Sequence, residues 1–258
     1  MGAAASARAL SISVALLLPL RAHAQVSPPI ASQPASPSAD SLPAFERPNG
    51  SLLRPGTLTY SLSLTTPAGA NVALGVRTVI VSDSPMGGTP GWLIAESRTG
   101  TVVPTSDSVF VARADLQPER WNATIGRALL GASFTRDSVF GAVQGYQGRS
   151  SFAMAVPGNV LPSAGLLERV IELLPLREGY HAGASLLLVD GLMPRIVPAE
   201  IVVERTESVS IGNRSTDAWR VAVRWGAMEQ RLWVARDGGR VVRTEQAVPQ
   251  GVLASVLQ

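Results

Sequence analysis

Residues 57–66 read TLTYSLSLTT. Leu58, Tyr60, Leu62 and Leu64 fall on one face of an extended chain, and Thr57, Thr59, Ser61, Ser63 and Thr65 fall on the other. Alternation of this kind is the signature of a half-buried antiparallel strand, with one face on a core and the other in water. After a Pro-Ala-Gly turn, NVALGVRTVIVSDS keeps the same period. Val72, Leu74, Val76 and Ile80 share a face there, and Gly75 marks a bend. GWLIAES, SDSVFVARADL, RALLGASFT, SVFGAVQGY and RSSFAMAV extend the series. TSDSVF at 105–110 returns as TRDSVF at 135–140. Two copies fall short of a repeat architecture, and Asp107 and Asp137 read as acceptors in turns that precede strands rather than as metal ligands.

One helix interrupts the meander. Ser163 is the natural N-cap for AGLLERVIELL, and Pro175 forces the stop. Leu166, Leu167, Val170, Ile171, Leu173 and Leu174 give a broad apolar face, with Glu168, Arg169 and Glu172 as its polar side. A helix of about twelve residues is marginal alone, so its apolar face must dock on the sheet. Further strands follow in ASLLLVD, AEIVVERTESVSI, DAWRVAVRW, EQRLWVAR and GRVVRTEQ. In the third of these, Trp219, Val221, Val223 and Trp225 oppose Arg220, Ala222 and Arg224. Asp237-Gly238-Gly239 is a strong hairpin signal. The expectation is a mainly β fold: a curved antiparallel sheet of roughly 11–13 strands forming an incomplete barrel, with one long helix against its concave face.

Upstream, residues 25–50 are rich in Pro, Ser and Ala and read as a disordered tether. Before them, Arg8, an apolar run from Leu10 to Leu20 and the small-x-small triplet Ala22-His23-Ala24 make a signal peptide cut after Ala24. The run is too short for a permanent span, which needs about 20 residues, so the mature chain is not expected to be transmembrane. The divisions are therefore 1–24 signal peptide, 25–50 tether and 51–258 a single β half-barrel domain. The expected location is periplasmic or secreted.

Composition removes whole chemistries. There is no cysteine, and all 22 basic residues are arginine. Disulfides, thiolate nucleophiles, iron–sulfur clusters and lysine Schiff bases are thus ruled out. The formal charge is +3, falling to +1 once Arg8 and Arg21 leave with the signal. No arginine run resembles a nucleic-acid footprint.

The order of several motifs resembles an exported bacterial family, domain of unknown function 3108. The stretches are DSVFVARADLQPERW, the LPLREGY junction at 174–180, and ERTESVSIGNRSTDAWRVAVRWGAMEQRLWVARDGGRVVRTE. The resemblance covers roughly residues 55–246 and implies a fold similar to the half-barrel of the periplasmic lipoprotein carriers LolA and LolB, in which a curved sheet wraps a helix and can hold acyl chains. The chain departs from those carriers in having few aromatic residues to line a cavity and no lipid-anchor cysteine.

His181 is the one histidine downstream of the signal. It follows the helix at a turn into a strand, and no G-x-S-x-G elbow accompanies it, so a catalytic triad is not expected. Glu200 and Glu204 share a strand face about 13 Å apart, too far for paired-carboxylate glycoside chemistry, with Glu207 on the other face. They read as partners of Arg220 and Arg224. The chain is accordingly expected to be non-catalytic, with no metal and no cofactor. It should bind or carry an apolar, lipid-like molecule through Leu166, Leu167, Val170, Ile171, Leu174, Tyr60, Trp219 and Trp225. The alternative is a structural or protein-interaction module of the cell envelope, with an envelope protein as partner.

Overall fold

The computed structural model describes residues 42–100, 104–146, 148–156, 158, 160–162, 164–190 and 193–258. The expected signal peptide, residues 25–41 of the expected tether and the N-cap Ser163 lie outside the described residues. The strands are β1 (Gly56–Thr65), β2 (Asn71–Asp83), β3 (Gly91–Gly100), β4 (Thr105–Ala112), β5 (Pro118–Ile125), β6 (Ala128–Phe134), β7 (Ser138–Gly145), β8 (Gly148–Ala155) and the two-residue β9 (Val160–Leu161). The helix α1 (Ala164–Leu173) follows. Then come β10 (His181–Asp190), β11 (Met193–Ile211), β12 (Arg214–Trp225), β13 (Met228–Ala235), β14 (Val241–Val248) and β15 (Gly251–Leu257).

All fifteen strands belong to one sheet in the order β8-β7-β6-β5-β4-β3-β2-β1-β15-β14-β13-β12-β11-β10-β9. Each pair is antiparallel except β9 with β10. The sheet is curved and does not close into a barrel. Its curvature follows from connectivity: the two edge strands β8 and β9 are consecutive in the chain, and the link from Ala155 to Val160 spans at most about 18 Å. The sheet must therefore bend round until its edges approach each other.

This exceeds the 11–13 strands expected. The additional elements are β5, which opens on Pro118, the short β9, and β15. The last is central rather than peripheral. It pairs β1 through Tyr60↔Leu257 to Thr65↔Val252, and β14 through Arg243↔Val256 to Val248↔Gly251. It thereby joins the N-terminal and C-terminal halves of the meander.

The face expected for β2 is corrected by a bulge. Between Leu62 and Ser63 the β1–β2 register shifts by one residue at Leu74. A one-residue slip sends every later side chain to the opposite face. Leu74 is buried, but beyond it the inward residues are Arg77, Val79 and Val81, while Ile80 is 44% exposed. The bend expected at Gly75 is present. Gly75 (φ +128°) opposes Gly100 (φ +119°), and a Cβ on Gly75 would lie 2.0 Å from the Thr99 carbonyl oxygen.

The sheet encloses α1 on all sides. Leu166, Val170 and Ile171 are fully buried, as the apolar face requires, but so are Glu168 and Arg169. The expectation that Glu168 and Arg169 form an outer polar side is overturned: the helix lies inside the curve of the sheet and has no outer side. After Leu173 the chain leaves through LPLREGY, where Gly179 takes φ +71°, and His181 begins β10. Residues 43–50, within the expected tether, are packed. Gly183 N–H donates to Pro43 O, Phe45 N–H donates to Gly183 O and Phe45 is 2% exposed. Gly50 N–H donates to Ala114 O, and the Trp92 indole N–H donates to Gly50 O.

Candidate apolar cavity and buried charge cluster

At the N-terminal end of α1 lies a cavity of ≈310 Å³. One side is built by Ala164 and Leu167 of the helix with Leu161 of β9 and Leu186 and Leu188 of β10. The other comes from the far side of the sheet: Trp225 and Met228, which face each other across the β12–β13 hairpin, Val248 at the end of β14, and Leu253 of β15. Arg98 of β3, Gln230 and Gln246 supply polar groups at its margin. All three consecutive leucines of β10, Leu186, Leu187 and Leu188, border this space, as does Trp225 at the end of β12. A hollow of ≈520 Å³ bordered by Thr78, Ser97, Ser106 and Asn122 is larger but more open, and much of its border is hydroxyl and amide.

The eight side chains expected to meet a ligand divide between two settings. Leu167 and Trp225 line the cavity. Leu166, Val170, Ile171, Leu174 and Tyr60 lie in the packed core, each 6% exposed or less. Trp219 packs against that core with the Arg236 guanidinium 4.9 Å from its ring centroid. The sequence reading missed the cavity's β9, β10 and β15 walls. ASLLLVD reads as a strand, but its three consecutive leucines do not alternate, and all three border the space.

Below the cavity the helix is held by charge. Arg77 of β2 contacts Glu168 at 2.8 Å and Glu96 of β3 at 2.7 Å. Arg98 donates from Nε to the other oxygen of Glu96 at 2.9 Å. Arg169 reaches Glu172 at 3.0 Å, and Glu172 accepts from the Val241 backbone N–H at 2.7 Å. Tyr60 lies under Arg77, 5.1 Å from ring centroid to guanidinium, and its hydroxyl donates to Val241 O at 3.0 Å. Burial above all pushes the Tyr60 hydroxyl up to about 12. Burial alone would raise Glu96, but Arg77 and Arg98 outweigh it and hold the carboxyl at about 2. Burial pushes Glu172 up to about 7 against the pull of Arg169.

Asp107 corrects another expectation. It sits within β4, directly opposite Glu96 in the register, rather than in a turn. One of its oxygens is buried without a hydrogen-bond partner. Burial, reinforced by Glu96, pushes it up to about 7. Asp137 does sit in a turn before β7 and accepts from the Thr135 hydroxyl at 3.1 Å.

The outer face of β10–β13 carries a separate ladder. His181 Nε2 lies 2.5 Å from Glu200, and Arg224 joins Glu200, Glu204 and Glu229. Arg220 donates to Glu204 at 2.7 Å. The pairing of Glu200 and Glu204 with these arginines is as read from the sequence. Glu207 departs from that reading. A bulge at Glu204 shifts the β11–β12 register and brings Glu207 onto the same face, 3.6 Å from Arg220, where it accepts from the Trp233 indole N–H. His181 is thus part of a half-exposed ion ladder on the outside of the sheet.

Among the described residues no helix is long and apolar enough to cross a membrane. No family model matches the chain, and no curated protein matches it. Solved structures similar to it include two bacterial proteins. One is a β-barrel-like protein of domain of unknown function DUF1849 from Brucella abortus, at 10% identity and a TM-score of 0.56, over 84% of this chain and 98% of that one. The other is the hypothetical lipoprotein YmcC from Escherichia coli, at 12% identity and a TM-score of 0.33, over 79% of this chain and 87% of that one, and at that score it bears no weight. The first likeness extends over nearly the whole of its relative and shows a shared fold. Membership of domain of unknown function 3108 has no family match behind it, whereas the open curved sheet around a helix that the resemblance implied is the fold observed.

Proposed function

We propose that this chain is an exported, non-catalytic envelope protein that binds an apolar, lipid-like molecule at the N-terminal end of its buried helix. The observation that carries this reading is the ≈310 Å³ cavity between Leu167, Leu186, Leu188, Trp225 and Leu253. Its volume is at the lower end of the range of about 300–1,000 Å³ typical of small-molecule sites, and like them it is walled by hydrophobic side chains with a few polar groups. The non-catalytic part is supported by composition and by His181, whose ring is engaged by Glu200 on the outer face. A neutral naphthylamine fluorophore tests the reading. It should brighten on titration into the parent protein, and Leu167→Trp, which fills the cavity, should abolish the signal. No brightening in the parent, or equal brightening in the variant, would contradict it.

A second reading has its own support. Leu166, Val170 and Ile171 are fully buried, so the middle of the helix packs flush on the sheet. A structural or protein-interaction module of the envelope would look like this, and it would ignore the fluorophore.

A further inference from the structure

We infer that the apolar cavity selects an amphiphile with a single chain and one negative charge, a fatty-acid-type carboxylate, and that Arg98 anchors its head. This deepens the proposed function and rests on it. Among the described residues that line the cavity Arg98 is the one charged side chain, and the other polar contributors are the neutral glutamines Gln230, Gln246 and Gln250. Arg98 is fixed from behind by its Nε–H, which donates to Glu96 Oε1 at 2.9 Å. Glu96 is in turn tied to Arg77, whose second carboxylate partner is Glu168 on the helix. The guanidinium is therefore oriented by a buried chain of charges, while its side chain remains 31% exposed. The charged groups that act on it are Glu96, through Nε, and the part-buried Asp107 opposite Glu96 on β4.

A guanidinium fork matches a carboxylate bidentately. The stoichiometry favours a monoanion, because a dianionic phosphate monoester would bring a second charge to a site with one cation, already shared with Glu96, and burying an unpaired charge is costly. The volume favours one chain. The apolar walls fit its methylenes, each worth about 0.8 kcal/mol when buried, and Gln230 and Gln246 can donate to the head from the other side of the opening.

The test is calorimetric titration of the parent protein with dodecanoate, dodecanol and dodecyltrimethylammonium, three ligands with one tail and different heads, and with dodecyl phosphate as a fourth arm. Dodecanoate should bind tightest, by about tenfold over dodecanol. Arg98→Gln should erase that preference, and Arg98→Lys should restore part of it. A circular-dichroism melt of each variant shows that the fold persists. Equal binding of dodecanoate and dodecanol, or an undiminished preference in Arg98→Gln, would overturn the anchor and leave the apolar reading standing. Tighter binding of dodecyl phosphate than of dodecanoate would overturn the monoanionic head. Failure of all four ligands to bind the parent would overturn both readings.

Discussion

Arg77 on β2 and Glu168 on α1 meet 2.8 Å apart with side chains 2% and 1% exposed. Glu168 Oε1 makes this contact as an ion pair and not as a well-directed hydrogen bond. The pair ties the helix to the sheet where an all-apolar seam would have sufficed. Removing one partner leaves the other charged and buried, which typically costs about 3–5 kcal/mol, whereas replacing both by apolar groups of similar size can be neutral. Glu168→Leu and Arg77→Met should each be strongly destabilising, and the double variant should cost less than their sum without full recovery, because Arg77→Met also takes a partner from Glu96. Urea melts of the four proteins measure the coupling. Simple additivity would show that the pair is not a unit.

Stability should peak in mild acid. Glu172 is pushed up to about 7 in the folded protein, so between about 4.5 and 7 the native state holds a proton that the unfolded chain has released. Its contribution is fully present below about 4.5 and is lost as pH rises towards 7, a change on the order of 3 kcal/mol. Asp107, also pushed up to about 7, acts in the same direction. Glu96, held at about 2, acts oppositely: its contribution is present above about 4.5 and is lost as pH falls towards 2. Denaturant midpoints should therefore rise from pH 8 towards about pH 5 and fall below it. Glu172→Gln keeps an acceptor for the Val241 N–H and should flatten the alkaline limb. An unchanged limb in that variant would assign the pH dependence elsewhere.

The two ends of the helix should respond differently to truncation. Ile171 is fully buried in the core, and Ile171→Ala should cost about 2–5 kcal/mol. Leu167 already borders empty volume on one side, so Leu167→Ala should cost less while enlarging the cavity. Thermal melts beside a fluorophore titration separate stability from binding. Equal costs at the two sites would mean the cavity is closed in solution.

Much of the architecture was legible because the inward faces alternate. β1 follows its pattern from Leu58 to Leu64 without interruption, whereas in β12 Ala222, expected opposite Val221 and Val223 with Arg220 and Arg224, is as buried as the two valines. What was not legible depends on phase and surroundings. The bulges at Leu74 and Glu204 each flip the residues beyond them, and single-strand alternation contains no signal for one extra residue in a ladder. Glu168 and Arg169 look like a solvent face because a short helix normally has one, and the strand partner of Glu168, Arg77, lies about 90 residues away in sequence. The cavity depends on which of three consecutive leucines in β10 meet the helix, a property of curvature rather than of any local pattern.

The last strand offers a test of topology. β15 lies between β1 and β14 and is hydrogen-bonded to both. Deleting residues 251–258 should leave two exposed sheet edges and abolish cooperative unfolding. A sharp, native-like melt of the truncated chain would contradict the strand order.

Export is a separate expectation, resting on residues 8–24. Native protein should be recovered outside the cytoplasm with Gln25 at its N-terminus. N-terminal sequencing that begins at Met1 or Gly2 would contradict it.

The central claim is that the space beside Leu167 and Trp225 is a ligand site. Native mass spectrometry of protein purified from its own cell envelope tests this most directly. The account predicts a fraction of the protein carrying one adduct, released on activation as an apolar anion, and its loss in Leu167→Trp prepared in the same way. Bare protein in every preparation, with no adduct taken up on incubation with dodecanoate, would contradict it.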